Sequence, residues 1–118
     1  MKKIIFLLPI LAVCACNKTQ TYTVGTDANC SGLEESSPDP VFCTDTNGNP
    51  INGIVKQYYE NGKLHVVANV VDGKTDGLSK LYNPDEKLYM EINWKNGEMI
   101  DAKVYDENGN VIETKINE

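Results

Sequence analysis

The chain has 118 residues, of which 41% are hydrophobic and 8% aromatic, so it can build one modest core and no second domain of ordinary size. Its formal net charge is -6, and it contains no arginine. The lysines are scattered, so the clustered cationic surface that neutralises nucleic-acid phosphates is absent, and nucleic acid is not an expected partner.

The first residues have the three zones of a secretory signal peptide. Met1 to Lys3 is basic, Ile4 to Val13 is an apolar run, and Cys14-Ala15-Cys16 consists of residues with small side chains. A membrane-spanning helix needs about 20 apolar residues, so this run is too short to cross a bilayer. We expect residues 1–15 to be a signal peptide whose removal takes away two lysines and changes the net charge from -6 to -8. The alternative is an uncleaved N-terminal helix.

Val13-Cys14-Ala15-Cys16 resembles the lipobox of bacterial lipoproteins, in which an aliphatic residue and two small residues precede a cysteine that receives a lipid. The resemblance implies cleavage before Cys16 and lipid on that cysteine. Cys14 is the rival acceptor, but Val13 would then stand directly before the cut, where Gly or Ala is usual. We expect a protein anchored to a membrane of the bacterial cell envelope, at the outer membrane or periplasmic face rather than the inner membrane.

Residues 16–47 are rich in Thr, Ser, Asp, Asn and Pro and poor in apolar side chains, which predicts a flexible, disordered tether. Cys30 and Cys43 are the cysteines that remain once Cys14 is removed and Cys16 carries lipid. An exported pair in an oxidising compartment is expected to form a disulfide. Two cysteines with His65 far off in sequence do not make a four-ligand zinc site, so we expect no metal and no cofactor.

From Gly48 onward the sequence repeats with a period of about 24 residues. Each of three tyrosines is followed by a turn-forming segment and then by an apolar residue; the pairs are Tyr58 and Leu64, Tyr82 and Leu88, and Tyr105 and Val111. A second turn signal recurs between them, at Asn47-Gly48, Asp72-Gly73 and Asn96-Gly97. These dipeptides readily take the positive φ angles of tight hairpin turns.

Apolar and polar residues alternate between the turns. The clearest apolar sets are Leu88, Met90, Ile92 and Trp94, and Leu64, Val66, Ala68 and Val70. A period of two is typical of strands with one buried face, whereas a helix needs a period near 3.6. The sequence therefore predicts an all-β fold, with residues 48–118 forming an antiparallel meander of short hairpins behind the tether. Trp94 is expected in the core or at the sheet edge rather than in a ligand site.

The segments from Gly53 to Leu64 and from Asp72 to Gly77 resemble the bacterial variant of the MORN repeat, and the resemblance continues in register over residues 48–116. Two departures stand out. Pro84-Asp85-Glu86 replaces the second Asn-Gly turn, which indicates a longer turn, and Asp101-Ala102 replaces the last Asp-Gly. The resemblance implies a sheet extended unit by unit and a binding or scaffolding role; many bacterial members carry an antitoxin-type label.

No residue pattern predicts catalysis. His65 is the only histidine, and no motif places a nucleophile and an orienting carboxylate beside it. Asp45 to Asn49 and Asp106 to Asn110 imitate the first half of a calcium loop, but the Gly and Glu required later in such a loop are missing. Turn formation is the better explanation of both segments.

One further pattern suggests a binding face. Each strand before a tyrosine carries a lysine two positions earlier, and residues two apart share a strand face. The pairs are Lys56 and Tyr58, Lys80 and Tyr82, and Lys103 and Tyr105. The row is a possible recognition surface; alternatively, the rings cover the edge of the sheet while the lysines keep it soluble.

The leading functional hypothesis is a membrane-anchored envelope lipoprotein whose repeat sheet is a non-enzymatic module that binds or scaffolds another protein or a cell-wall component. The alternative is an inhibitor or immunity protein, antitoxin-like, that neutralises a toxic enzyme. The acidic charge would suit a cationic target. An antitoxin gene should lie beside its toxin gene, whereas the gene of a general envelope protein need not.

Overall fold

The computed structural model describes residues 19–31, 33 and 41–116. The predicted signal peptide and Cys16 lie outside these residues. Within them all regular structure is strand, and no helix is long and apolar enough to cross a membrane. The strands are β1 (Thr21–Thr23), β2 (Ala28–Ser31), β3 (Phe42–Asp45), β4 (Gly53–Tyr58), β5 (Leu64–Val71), β6 (Lys74–Thr75), β7 (Gly77–Tyr82), β8 (Leu88–Lys95), β9 (Glu98–Tyr105) and β10 (Val111–Ile116).

The strands form one open sheet. β4, β5, β7, β8, β9 and β10 follow one another, each antiparallel to the next. The sheet branches at β6, which pairs with both β5 and β3, and β3 pairs in turn with β2. β1 lies parallel to β4 at the opposite edge from β10. The predicted all-β antiparallel meander is confirmed, with this one parallel pairing between described strands added to it.

Two of the hairpin turns adopt the backbone angles that their dipeptides favour. The φ angles are 49° at Asp72 and 82° at Gly73, and 51° at Asn96 and 84° at Gly97. Two successive positive φ angles define a type I′ turn, whose twist matches that of the flanking strands. These two predicted turns are therefore confirmed.

The alternate turns of the meander share a different pattern. In residues 59–63 the N–H of Tyr59 donates to the C=O of Lys63, and the N–H of Gly62 donates to the C=O of Tyr59, both at 2.9 Å. The same two hydrogen bonds close residues 45–49, 83–87 and 106–110. The expected longer turn in the middle unit is wrong, because Glu86 takes the left-handed place of the glycine with a φ of 71°. Asn47-Gly48 belongs to this loop class and not with the type I′ turns.

A β-bulge accompanies each of these loops in the repeat region. The strand register shifts at Gln57/Tyr58, at Leu81/Tyr82 and at Val111/Glu113. A bulge inserts one unpaired residue and increases the local twist. Because the three shifts fall at equivalent positions, the third unit has the same hairpin form as the first two.

One face of the repeat strands is buried. Its side chains include Val55, Val66, Ala68, Val70, Leu81, Ile92, Trp94 and Ala102. The alternation predicted for β5 and β8 is confirmed in the later part of each strand, where Val66, Val70 and Ile92 are at most 1% exposed. It is wrong at the first residues, because Leu64 and Leu88 precede the bulges and lie outside the core cluster, whereas Tyr89 packs against it. Trp94 is buried in the cluster, as expected for a core residue.

A segment before the repeats covers this face. We call it the cover segment and define it as the described residues between Ala28 and Ile51. Its side chains Ala28, Leu33, Val41, Cys43 and Ile51 are buried in the same cluster as the repeat residues. The expectation that residues 16–47 form a flexible tether is therefore wrong for their described part, which supplies β1, β2 and β3. The physical reason is that a sheet with one apolar face must bury it against another layer.

Hydrogen bonds and a disulfide hold the cover segment in place. The N–H of Val41 donates to the C=O of Gly97 at 3.1 Å, and the N–H of Cys43 donates to the C=O of Gly73. The glycines of both type I′ turns thus accept from residues two apart on the cover segment. Cys43 is also joined to Cys30, its partner across β2 and β3, by the predicted disulfide.

Substituting Gly73 tests this contact between turn and cover segment. A Cβ built at Gly73 would lie 2.6 Å from Cε1 of Phe42 and 3.0 Å from the carbonyl oxygen of Cys43. We expect Gly73→Ala to lower the free energy of unfolding, measured by urea denaturation, by about 1–3 kcal/mol beyond the cost of the left-handed backbone alone.

Gly109→Ala is the matched control. Its φ of 85° is close to the 82° of Gly73, but a Cβ at Gly109 meets nothing within 4 Å. It therefore carries only the penalty of about 1–2 kcal/mol for a left-handed non-glycine residue. An equal decrease in the free energy of unfolding for the two variants would show that the cover segment makes no close steric contact with the turn at Gly73.

Candidate binding face

The face of the sheet opposite the core, which we call the outer face, carries the three predicted lysines in one row. Lys80 and Lys103 are the cross-strand partners of Glu91 on its two sides. On one flank Lys80 is also paired with Val67, which pairs with Lys56, and on the other Lys103 pairs with Thr114. The row alternates in charge at its centre, and cross-strand pairs of opposite charge stabilise an antiparallel sheet.

The tyrosines of the predicted face differ in how they are held. Tyr58 is 44% exposed, whereas Tyr82 and Tyr105 are half-buried. The hydroxyl of Tyr105 donates to Oε1 of Glu91. This hydrogen bond, together with desolvation and the negative charge of Glu91, raises the pKa of Tyr105. Glu91 therefore links the lysine row to the tyrosine of the third unit.

A second aromatic contact joins the first unit to the second. The ring of Tyr59 stacks on His65, with centroids 4.1 Å apart and an angle of 20° between planes. Its hydroxyl donates to the backbone carbonyl of Tyr82 at 2.7 Å. Desolvation raises the pKa of Tyr59, and the charge of Asp85 adds to the effect. His65 is thus half-buried beneath a ring.

The loops beside this face also contact one another. Lys63 and Glu86, in equivalent loops of the first and second units, form an ion pair of 3.1 Å. Both side chains are largely exposed, so the pair adds little stability and mainly aligns the loops. Beyond it an open groove is lined by Lys87, Leu88, Glu91, Tyr105 and the loop that follows Tyr105.

The aspartates of the calcium-like segments are occupied by their own turns. Oδ1 of Asp45 accepts the N–H groups of Asn47 and Asn49, and Oδ1 of Asp106 accepts those of Asn108 and Asn110. The backbone hydrogen bonds from Asn49 and Asn110 are the main cause of a lowered pKa at Asp45 and Asp106, respectively. No group of three or more possible metal ligands occurs among the described residues. The interpretation of these segments as turns agrees with this geometry.

Three of the residues in these contacts were not identified from sequence. Glu91 is one of several polar residues that alternate with apolar ones in its strand, and Tyr59 aligns with Asn83 and Asp106, so a tyrosine at its position does not recur with the repeat. His65 occupies the extra position of the first bulge. The spacing in the sequence could not show these contacts, because each depends on the register between strands. What the arrangement offers chemically is stacking, hydrogen bonding and charge pairing.

The family comparison agrees with the repeat register. Residues 51–72 and 75–96 each match the family model described as MORN repeat variant. The two matches cover well under half of the chain and correspond to the first two hairpin units, while the third unit shares their form in the structure. The chain thus has two segments similar to the MORN repeat variant. Searches of curated proteins and of solved structures gave no match.

The Tyr105 to Glu91 hydrogen bond predicts a change in titration. Because the bond stabilises the protonated phenol, Glu91→Gln should lower the pKa of Tyr105 toward its ordinary value, which a spectrophotometric titration of tyrosinate can measure. A raised pKa stabilises the fold below the unfolded-state pKa of 10.0, and this contribution disappears as pH rises through the folded-state value.

Tyr105→Phe assigns the titration step, because it removes that phenol alone. Glu98→Gln is the control for the loss of a carboxylate, since Glu98 is exposed on the neighbouring strand. If Glu91→Gln and Glu98→Gln leave the titration curve equally unchanged, the hydrogen bond does not set the pKa of Tyr105.

Proposed function

We propose that this protein is a lipid-anchored lipoprotein of the bacterial cell envelope and that the outer face of its repeat sheet binds a protein partner without catalysis. MORN repeats generally serve as modules that bind proteins or membranes, which supports a binding or scaffolding role. The observation that carries the proposal is the division between the two faces. The core face is closed by the cover segment, whereas the outer face presents a repeated row of lysines and tyrosines.

The outer face is already ordered before any partner arrives. Tyr59 is fixed by His65 and by the carbonyl of Tyr82, and Tyr105 is fixed by Glu91. Rings with few rotatable bonds present a large contact area at low entropic cost. Because these rings are already held in place, less conformational entropy is lost when a partner binds. A strip of this kind suits a partner with a flat surface.

The charges along the row favour a defined orientation of that partner. Lys80 and Lys103 flank Glu91, and Lys56 lies further along the same row. Charge complementarity contributes more to orientation and association rate than to affinity. A partner that places carboxylates opposite the two flanking lysines therefore fits this face best.

The anchor would hold the sheet close to the membrane. β1 begins at Thr21, five residues after Cys16, and a fully extended chain covers roughly 3.5 Å per residue. The first strand could then lie no more than roughly 18 Å from the lipidated residue. The proposed lipoprotein thus presents its binding face near the membrane surface instead of on a long stalk.

Cys16→Ala tests the anchor. If Cys16 is the lipid acceptor, the variant should lose incorporation of labelled fatty acid and should leave the membrane fraction or accumulate as the uncut precursor. Cys14→Ala is the matched control, because it removes the rival acceptor two residues earlier and should retain both lipid and membrane association. Unchanged labelling of the Cys16→Ala variant would refute the assignment.

Tyr58→Ala combined with Tyr105→Ala tests the binding face. The partner is first identified by crosslinking the native, membrane-associated protein and co-purification, and its affinity is then measured. We expect the double variant to bind at least about 2 kcal/mol more weakly, as for central aromatic residues of interfaces. The Tyr58→Ala change should lower the melting temperature little, because Tyr58 is 44% exposed, whereas loss of the half-buried Tyr105 and its hydrogen bond to Glu91 should lower it modestly.

Val71→Ala provides a control of equal exposure outside the tyrosine strip, since Val71 is also 44% exposed. It should leave both affinity and melting temperature nearly unchanged. The opposite outcome for the double variant, a large fall in melting temperature with unchanged affinity of the folded fraction, would mean that the tyrosines serve packing and not recognition.

A second function, inhibition of a cationic toxic enzyme, is favoured by the charge of the loops. Residues 59–63, 83–87 and 106–110 carry Glu60, Asp85, Glu86, Asp106 and Glu107 against Lys63 and Lys87. The acidic end of the sheet would bind such an enzyme, whereas the leading proposal uses the outer face. A toxin gene beside the gene for this protein would favour inhibition.

A further inference from the structure

The last strand of the sheet has an open edge. β10 pairs with β9 on one side, and none of the described residues pairs with its other side. In an antiparallel sheet alternate residues direct their backbone N–H and C=O groups to opposite neighbours, so an edge strand has free hydrogen-bonding groups. The opposite edge is different, because β1 covers β4.

The side chains of β10 are unusually apolar for an open edge. Ile112 and Ile116 are 63% and 66% exposed, the highest values among the exposed large hydrophobic side chains of the described chain, and Val111 is 51% exposed. Soluble proteins usually protect such edges with charges, prolines, bulges or a covering segment. The extra residue of the bulge is Ile112, and β10 has only Glu113 and Lys115 as charged residues.

The order of residues in β10 is complementary to itself. If two copies pair antiparallel with Thr114 opposite Thr114, then Glu113 lies opposite Lys115 in the regular part of the strand, and Ile112, the bulge residue, comes opposite Ile116. Each pair occurs twice around the twofold axis. Aliphatic pairs, paired threonines and pairs of opposite charge are the cross-strand combinations that stabilise antiparallel sheets. A shift by one residue would break this matching.

From the open edge and this complementarity we infer that β10 is a self-association edge, on which β10 of a second copy adds antiparallel, centred on Thr114. The interface is isologous, because the same strand serves on both sides of a twofold axis. A strand from another protein would need a complementary order of apolar and charged residues, whereas β10 of a second copy always has that order. This inference is independent of the lipid anchor and of any other partner.

The pairing would join the outer faces of the two copies. A twofold axis normal to the sheet keeps each face on its own side, and Thr114 already ends the row that contains Lys103. The row would therefore continue from Lys103 and Thr114 of one copy into Thr114 and Lys103 of the other. One strand pair is smaller than a standard protein interface, so the dimer should be reversible and concentration-dependent.

Disulfide trapping in the full chain tests the register. Thr114→Cys places the two introduced thiols directly opposite, within the distance that a disulfide spans. With copper phenanthroline as oxidant in a native extract, we expect several-fold more covalent homodimer than for Glu113→Cys, whose thiols are not opposite. Copies with Glu113→Cys and copies with Lys115→Cys, carrying different tags, should crosslink to each other when mixed. The parent chain measures any crosslinking through its own cysteines.

Charge reversal at Glu113 and Lys115 then tests their proposed pairing, with single and combined variants compared. In the Thr114→Cys background, Glu113→Lys or Lys115→Glu alone should reduce the homodimer several-fold, because like charges become opposite across the new strand pair. The two reversals combined should restore it. Glu107→Lys, a reversal on the exposed loop before β10, should have no effect.

Three results would overturn the inference. The first is equal trapping of Thr114→Cys and Glu113→Cys, which indicates random collision. The second is no recovery when both charge reversals are combined, which excludes the stated register. The third is a Thr114→Cys adduct with a different protein and no homodimer, which shows that the edge accepts a foreign strand.

Discussion

The apolar face of the repeat sheet is the constraint on which the rest of the structure depends. Each unit contributes side chains such as Val66, Leu81 and Ile92 to one face, and removing such a side chain from water stabilises the fold by about 1.5–3 kcal/mol. A single layer cannot realise that gain, because its apolar face stays wet. The cover segment supplies the second layer with Leu33, Val41 and their neighbours, which explains why β2 and β3 join a repeat sheet from a polar part of the chain.

Covering one face leaves the other free for recognition. The repeat fixes this division, since every unit turns the same alternate residues toward the core and the others outward. The type I′ turns have a double role, because they reverse the chain and also offer the carbonyls of Gly73 and Gly97 to the cover segment. On the outer face the same regular spacing aligns Lys80, Glu91 and Lys103 into one row.

The sequence predicted what depends on local chemistry and missed what depends on distant pairing. Strand alternation, the Asp72-Gly73 and Asn96-Gly97 turns and the Cys30 to Cys43 disulfide all follow from residue types and their spacing. The cover segment could not be found in the same way, because its buried side chains are few and separated by polar residues. Glu86 in a left-handed position is likewise set by the hairpin around it. On the binding face, the spacing of the lysines and tyrosines could be predicted from the sequence. The role of Glu91 could not, because it depends on the register between strands.

The two described ends of the repeat sheet differ in how they are protected. An array of repeats needs a polar terminal unit, because its last strand has no further neighbour to cover it. At β4 the chain itself adds β1. At β10 Lys115 pairs with the buried Ala102 and Glu113 pairs with the half-buried Val104, so the apolar face ends in polar side chains there. These polar residues explain how the core ends. They neither provide hydrogen-bond partners for the open backbone edge of β10 nor cover the exposed Ile112 and Ile116. A second β10 would satisfy both, since it supplies backbone partners and places isoleucine against isoleucine.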